Sequence, residues 1–570
     1  MMKNIVILIL MMSLIHAGCW FDNAGGSKRA LLVLTSITKS NPFAPIAPGG
    51  LQATPVSSSR IDLTWHDYSD DESGFSIERS AGGDFSEIAS VSAAVTSYSD
   101  SGLTSGITYY YRLRSYTGLG RSVFSEVASG TTFLSGSGVY YYIRSDATGA
   151  NDGSDWTNAR TALPDPLVRG RCYYVADGSY PGYTFNDPES GALNIIIKKA
   201  TAANHGPAAG WQSSYGDGTA EFQPLRFTTS YYVLDGQAGT GFTIRGGFQG
   251  HVVSILSSGV IVRNCDLDGN FQYDYAGGVQ TDGACTGFGI GDESPWYASF
   301  VTVEHCSIHD IADDGFQIYN SDRVYVSDNV VHSLYSCGTD AALDGPCFNG
   351  HSDSIEIFNL ANSEFNRNFI YDTEPTNAAL FFGNVADLYG GYKVYCKNII
   401  LANNIFYMPR AGFVAYFDEA DGIKAYNNIF WGRRQGAYGG LSIWKVKNLD
   451  MYNNIILSIY YGHMHDVYRP TQHRGDYNLF GFSNSSMAGE YREQPHDIVN
   501  PDPGFANPAV TAGTTIPNPT PADFAIQSGS ACIDAGYSGD AVIAIPHFDF
   551  SGTERPRGTG IDIGAFEYGP

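Results

Sequence analysis

Two short segments decide the reading of this chain: Asp313-Asp314-Gly315-Phe316-Gln317-Ile318-Tyr319-Asn320 and Ser352-Asp353-Ser354-Ile355-Glu356-Ile357-Phe358-Asn359. Each opens on an acidic turn, alternates apolar and polar positions for the length of a strand, and closes on Asn. Such alternation predicts a strand with one face in a core and one outside. The same text written twice within residues 311–359 reads as two turns of a repeat.

The repeat extends well beyond those segments. The second Asn of each Asn pair, or its equivalent, falls at Cys265, Cys306, Asn329, Asn368, Asn404, Asn428 and Asn454, at steps of 41, 23, 39, 36, 24 and 26 residues. The short steps match one coil of a parallel β-helix, and the long ones a coil plus an inserted loop. Asn suits a sharp corner between strands, because it tolerates left-handed backbone and its amide can bond to the Asn stacked above. Cys265 and Cys306 take the same rung and predict either stacked thiols or a disulfide. Nine residues before Asn329 and Asn368 stand Asn320 and Asn359, and before Asn428 and Asn454 stand Glu419 and Lys445. An insertion offsets the Asn404 coil, where Asn384 is the equivalent.

Registering the strands on this frame predicts a surface. Phe316, Ile318, Ile355, Ile357, Leu380 and Phe382 point inward. Outward go Gln317, Glu356, Phe381, Tyr416 and Ser442 in one column, and Tyr319, Phe358, Gly383, Asp418 and Trp444 in the next. Rows of aromatics about 4.8 Å apart per coil are what the apolar faces of sugars stack against. Gln317, Tyr319, Phe358, Phe381, Tyr416 and Trp444 are therefore the candidate sugar-binding residues. At the mouth of the same strands stand Asp310, Asp313, Asp314, His351, Asp353 and Glu356, with Asp314 expected to stack on Asp353 and Gln317 on Glu356. Carboxylates one coil apart repel, so each needs a proton, a metal or a basic partner. Three roles remain open. Asp313, Asp314 and Asp353 suit a hard cation such as Ca²⁺. Asp314, His351, Asp353 and Glu356 suit acid–base cleavage of a glycosidic bond, in which one carboxyl holds a raised pKa. An Asp before a strand also caps backbone amides as ordinary turn chemistry. The adjoining insertion, residues 333–350, carries Cys337 and Cys347, which can close it as a wall.

Composition and the ends of the chain bound the rest. The 570 residues predict two or three units, and only 16% charged residues beside 66 Gly, 38 Tyr and 32 Phe predict β-structure with many tight turns. A formal net charge of −25 excludes a nucleic-acid partner and repels anionic polymers, unless a cation or a local basic patch intervenes. Lys3 and a short apolar run, residues 5–15, predict a signal peptide over residues 1–18.

The sequence His16-Ala17-Gly18-Cys19 resembles a bacterial lipobox, which implies export, lipidation of Cys19 and a membrane anchor at the cell surface or in the periplasm. Residues 19–46 then read as a tether. Residues 47–133 resemble a fibronectin type III domain: Trp65 stands where that family keeps its core Trp, Leu103 and Tyr109 where it keeps its corner pair, and residues 120–125 where its last hairpin begins. Such a domain implies a spacer. Residues 138–570 resemble secreted right-handed parallel β-helix proteins of the pectate-lyase-like superfamily. Asp523-Phe524-Ala525-Ile526, the run Cys532-Ile533-Asp534-Ala535-Gly536 and Asp562-Ile563-Gly564-Ala565-Phe566-Glu567 are similar to a "choice-of-anchor Q" C-terminus of bacterial surface proteins. No sorting tail follows Pro570, which accords with anchoring through Cys19. Asp313-Asp314-Gly315-Phe316 also resembles the calcium-binding coil of one pectate-lyase family. The chain departs from it at Gln317, where that family has a third Asp, and at Glu356, where its catalytic Lys would fall.

The chain thus reads as all-β: a fibronectin type III sandwich followed by a right-handed parallel β-helix. The expected partner is a polysaccharide in a groove along the helix, cleaved by a lyase or hydrolase. The rival reading is a glycan-binding or adhesion surface without turnover. For a lyase, His351 is the candidate base, with Arg410, Arg433, Arg434 or Arg469 reaching in from loops.

Overall fold

The computed structural model describes residues 44–569 apart from 70, 136–138, 238, 240, 247–249, 271–272, 275–278, 281–285, 292–296, 335–351, 372–377, 384–395, 410–412, 419, 433–440, 445, 459–472, 483–493, 500, 512–514, 540–542 and 544. The leader with Cys19, most of the tether, Cys337, Cys347, His351, Asn384, Glu419, Lys445 and the arginines at 410, 433, 434 and 469 lie outside the described residues. Trp444, Asp418 and Ser442 are described by their backbone alone. No helix among the described residues is long and apolar enough to cross a membrane.

The first unit is an antiparallel sandwich. Strands Gly49–Ser57, Arg60–His66 and Ser97–Ser101 form one sheet, and Gly74–Ser80, Ser86–Ser92, Thr108–Tyr116 and Ala128–Thr131 the other. Alternating Ile61, Leu63 and Trp65 meet Phe75, Ile77, Tyr111 and Leu113 in the core between them. Tyr109 closes the expected corner, its hydroxyl accepting the Thr104 amide at 3.0 Å.

From Tyr140–Ile143 onward the strands pair in parallel, each with its counterpart in the next coil, apart from the short antiparallel pair Tyr273–Asp274 and Val279–Gln280. The coil beginning with Asp314–Ser327 shows how the chain turns: Asn320, Arg323 and Asp328 have φ of 42°, 55° and 58°, a left-handed residue at each corner. The Asn pairs divide the labour that the sequence reading gave to one residue. The first of each pair, Asn403, Asn427 or Asn453, takes the left-handed backbone with φ of 54°, 55° and 59°. The second turns inward and builds the ladder. Asn428 donates its side-chain amide to Leu401 O at 2.9 Å and to Asn454 Oδ1 at 3.0 Å, while its own Oδ1 accepts the Asn404 backbone amide at 2.9 Å. The ladder runs one rung further than expected, through Asn478, whose backbone amide is received by Asp497 at 2.9 Å. Cys265 and Cys306 sit on its early rungs as buried free thiols, as do Cys172, Cys396 and Cys532 elsewhere.

The coil has three faces, and two are covered by the chain itself. Phe369, Tyr407, Trp431 and Leu457, outward on the third face, form one core with Phe505, Phe524, Cys532 and Ile563 of the C-terminal segment. That segment is pinned by the left-handed asparagines: the side-chain amides of Asn403, Asn427 and Asn453 donate to Phe548 O, Asp562 O and Tyr537 O at 3.0, 3.0 and 2.9 Å. Acidic residues of this segment cap backbone there. Asp562 accepts the amides of Asp534 and Tyr568, Glu567 accepts that of Arg557, and Arg555, fully buried, lies 3.6 Å from Glu567.

The sandwich lies on the second face. Tyr110, outward on Thr108–Tyr116, is buried against Phe300 with its hydroxyl donating to Phe300 O at 3.1 Å. Asn194 of the helix donates its side-chain amide to Gly106 O at 3.0 Å, and Arg323 pairs with Asp84 at 3.4 Å.

Removing one rung of the ladder leaves the amide of the preceding Asn unsatisfied in the core, a penalty of about 1–3 kcal/mol in addition to the lost bonds. Asn428→Ala is therefore expected to lower unfolding stability by about 2–4 kcal/mol, read as a fall in the urea midpoint of the full chain.

Candidate functional site

The first face carries neither covering domain among the described residues. It is formed by the strand Phe242–Arg245's successor in the coil, His251–Ile255, then Thr286–Ile290, the start of Asp314–Ser327, the start of Asp353–Asn366, Ala378–Gly383, Phe413–Asp418 and Leu441–Trp444. The pairing matches the expected register: Gln317 opposes Glu356, Glu356 opposes Phe381, Phe381 opposes Tyr416, and Tyr416 opposes Ser442. In the next column Tyr319 opposes Phe358, Phe358 opposes Gly383, and Asp418 opposes Trp444. The aromatics stack along the coil axis. Tyr319 and Phe358 lie 5.0 Å apart and 13° from parallel, and Phe381 and Tyr416 5.3 Å apart and 8° from parallel. Phe358 meets Phe381 edge-on at 6.0 Å. Each is half-buried, so a ring edge or face remains for a ligand.

A bend at the start of these strands makes the mouth. Positions 315 and 316 both face the core, where strict alternation allows one. A Cβ on Gly315 would lie 2.7 Å from both Val331 Cγ1 and Ser354 O, which explains the Gly after the acidic pair. The bend turns Asp314 onto the same side as Gln317. Asp314 Oδ2 receives the Gln317 amide at 3.4 Å, and the same nitrogen donates to Glu356 Oε2 at 3.0 Å. The Tyr319 hydroxyl also reaches Glu356 Oε2, at 3.3 Å. The other oxygen of Asp314 accepts the Asp353 backbone amide at 2.8 Å, so the capping role is realised alongside the cluster.

The three carboxyls differ in access. Asp353 and Asp314 are sealed, at 0% and 1% exposure, and Glu356 at 5% is the outermost. Burial raises the Asp314 pKa well above the carboxylate range, reinforced by the negative charges of Asp313, Glu356 and Asp353. Burial and the acidic neighbours thus favour the protonated form of Asp314. Glu356 receives two donors on one oxygen, from Gln317 and Tyr319.

Two contributors escaped the sequence reading. His251, two coils upstream, approaches the Gln317 carboxamide oxygen through Nε2 at 3.3 Å, and its Nδ1 meets Ser254 Oγ at 3.2 Å. Gly289 stands between them in the stack. A Cβ there would fall 2.7 Å from three atoms of the imidazole, so the ring occupies the space a side chain would fill. The signal was a Gly at an outward strand position flanked by larger residues. His251 orients Gln317 and thereby the two donors of its amide.

The metal expectation finds a different set of side chains. Among the described residues, the group that brings three ligand atoms within 4.8 Å is Asp268, His309 and Asp310, on the third sheet, rather than Asp313, Asp314 and Asp353. His309 is engaged on both nitrogens, with Asp310 at 2.8 Å and Asp266 at 3.1 Å, and stacks on His332 at 5.2 Å. Burial works against its charge, but the bonds to Asp266 and Asp310 outweigh it and hold the His309 pKa up at about 10.

Residues 46–131 match the family model for the fibronectin type III domain, and residues 235–347 that for the right handed beta helix region. The chain carries a fibronectin type III domain and a right-handed β-helix. It is similar to an α-amylase of Niallia circulans, 32% identical over 135 residues; that stretch is 22% of this chain, which spans about a tenth of that relative. Among solved structures it is similar to a Fn3-like protein from Clostridium thermocellum, 29% identical over 15% of this chain and 91% of that one, with a TM-score of 0.14. A β-1,2-glucanase from Parabacteroides distasonis is 24% identical over 16% of this chain and 13% of that one, with a TM-score of 0.15.

His309 yields a pH test. Its folded pKa lies above the unfolded value of about 6.5, so its stabilisation is complete below pH 6.5 and is lost as pH rises toward 10. His309→Gln is expected to flatten the decline in melting temperature over that window, leaving the acid side little changed apart from a uniform offset.

Proposed function

We propose that this protein binds a polysaccharide along the first face and cleaves it at the acidic mouth. The observation that carries the reading is the continuity of Tyr319, Phe358, Phe381 and Tyr416, stacked at coil spacing, with a carboxyl cluster in which burial raises the Asp314 pKa. A ladder of rings offers successive sugar units the same apolar contact, and a ring that is half-buried is held in place before the ligand arrives. The partial relative named α-amylase accords with a carbohydrate ligand.

Within that reading, Glu356 is the catalytic residue, because it is the carboxyl nearest the surface in the column of the aromatics. Asp314 and Asp353 are positioning residues behind it. Glycoside hydrolysis needs one carboxyl protonated beside another that is ionised, and environments that push neighbouring pKa values apart supply that division. Hydrolysis is favoured over elimination here. An eliminating enzyme needs a base together with cations that neutralise a uronate carboxylate, whereas the described part of this mouth is acidic. The lipobox-like start places the proposed site of action at the bacterial envelope, with Cys19 as the anchor, and Ca²⁺ stays a proposed ligand of the Asp313, Asp314 and Asp353 group.

A second reading, retention of glycan without turnover, is favoured by the closure of Asp314 and Asp353. Reducing-end release from a panel of polysaccharides separates the two. The enzyme reading expects Glu356→Gln to lower turnover by about 10²–10⁴-fold with binding retained, and Asp314→Asn to displace the pH profile. Tyr416→Ala is expected to weaken binding by about 3–10-fold, the worth of one aromatic contact. Binding with no products, unchanged by Glu356→Gln, leaves the surface-binding reading; an unsaturated product absorbing near 235 nm would turn the assignment to a lyase.

A further inference from the structure

Where the sandwich lies on the second face, a crevice of about 600 Å³ opens between its last hairpin, the helix and residues 545–548 of the C-terminal segment. That volume falls within the range of about 300–1,000 Å³ typical of small-molecule sites. Phe124 contributes from the sandwich and Tyr325 and Tyr426 from the helix. The charges of its walls are unevenly matched. Arg112 is held by Glu78 at 2.7 and 2.9 Å, Arg323 by Asp322 at 2.5 Å, and Arg367 by both oxygens of Asp328 at 2.7 and 2.8 Å.

Two cations of the lining are left over. Arg114 lies over the Phe124 ring at 4.3 Å; its ion pair among the described residues is a 3.7 Å contact with Glu78, already taken by Arg112, and its Nε is buried without a hydrogen-bond partner. Lys424 forms no ion pair among the described residues. The nearest acid in its column is Asp450, one rung on, which Arg474 holds through two bonds of 2.8 and 2.7 Å. Burial lowers the pKa of both Arg114 and Lys424, the cost of a buried charge without a close partner. Two acids face the same space. Glu126 accepts the Leu51 amide at 2.9 Å and has its pKa raised by burial; burial and the nearby Glu126 lift Glu364 to about 7. Burial shifts both acids toward their uncharged forms, while Arg114 and Lys424 stay short of anions.

We propose that the crevice is a second ligand site, taking a carboxylate-bearing sugar whose acid group meets Arg114 and Lys424 and whose ring lies against Tyr426. A carboxylate supplies the partner both cations lack, and the sugar ring packs on an aromatic side chain. A chain of net charge −25 repels acidic saccharides over most of its surface, so a local pair of unmatched cations is where one is retained. The site lies on a different face from the acidic mouth and does not rest on the reading of that mouth.

Calorimetric titration of the full chain with galacturonate, galactose and inorganic sulfate tests it. Galacturonate is expected to bind at least tenfold more tightly than galactose, to lose at least tenfold in affinity in Lys424→Gln and in Arg114→Gln, and to be unaffected by Tyr416→Ala. If Arg114→Gln does not fold, Lys424→Gln decides alone. Equal binding of galactose, or galacturonate binding unchanged by Lys424→Gln, overturns the proposal. Sulfate binding as tightly as galacturonate overturns its sugar part, and weakened binding in Tyr416→Ala would move the ligand to the first face.

Discussion

The constraint on which everything else depends is the inward amide of each Asn pair. A parallel coil brings identical positions into register only if every turn closes at the same place. The buried ladder from Asn329 to Asn478 enforces that closure, because each rung accepts the backbone amide of the rung before it and donates its own side-chain amide to the rung after. A slip of one residue would bury several unsatisfied amides at once and turn each strand's apolar set outward. Coils of different length are therefore absorbed in the insertions, and the three faces stay aligned through steps of 24 to 39 residues.

That alignment has two opposite consequences on the first face. It stacks rings on rings, which is favourable, and acids on acids, which is not. Where Asp314 meets Asp353 and Gln317 meets Glu356, the repulsion is relieved locally by the protonation that burial favours at Asp314, by the Gln317 amide bridging Asp314 and Glu356, and by the Tyr319 hydroxyl. The neighbouring coil carries Ala378 and Phe381 at the same positions and needs no such relief. A scaffold that tolerates this arrangement at one place among many repeats marks that place as chemically distinct.

Much of this was legible in the sequence, because a solenoid converts spacing directly into neighbourhood. The columns Gln317–Glu356–Phe381–Tyr416 and Tyr319–Phe358 follow from counting residues between Asn pairs, and the sandwich from Trp65, Leu103 and Tyr109. Three features were not legible. The split of each Asn pair into a left-handed corner and an inward rung needs backbone angles, since both members have the same side chain. The part played by His251 depends on Gly289 leaving room across an intervening coil. The docking of the sandwich rests on Tyr110 and Phe300, residues 190 positions apart with nothing in their own neighbourhoods to pair them.

The central claim is that the first face, left without a covering domain of this chain among the described residues, is the one that holds a glycan. Side-chain oxidation by hydroxyl radicals, read residue by residue with and without a bound oligosaccharide, addresses it directly. Protection concentrated at Tyr319, Phe358, Phe381 and Tyr416, with Tyr426 and Phe124 of the second face unchanged by a neutral ligand, is the predicted result. Unchanged oxidation of those four rings while a neutral glycan is demonstrably bound would contradict it.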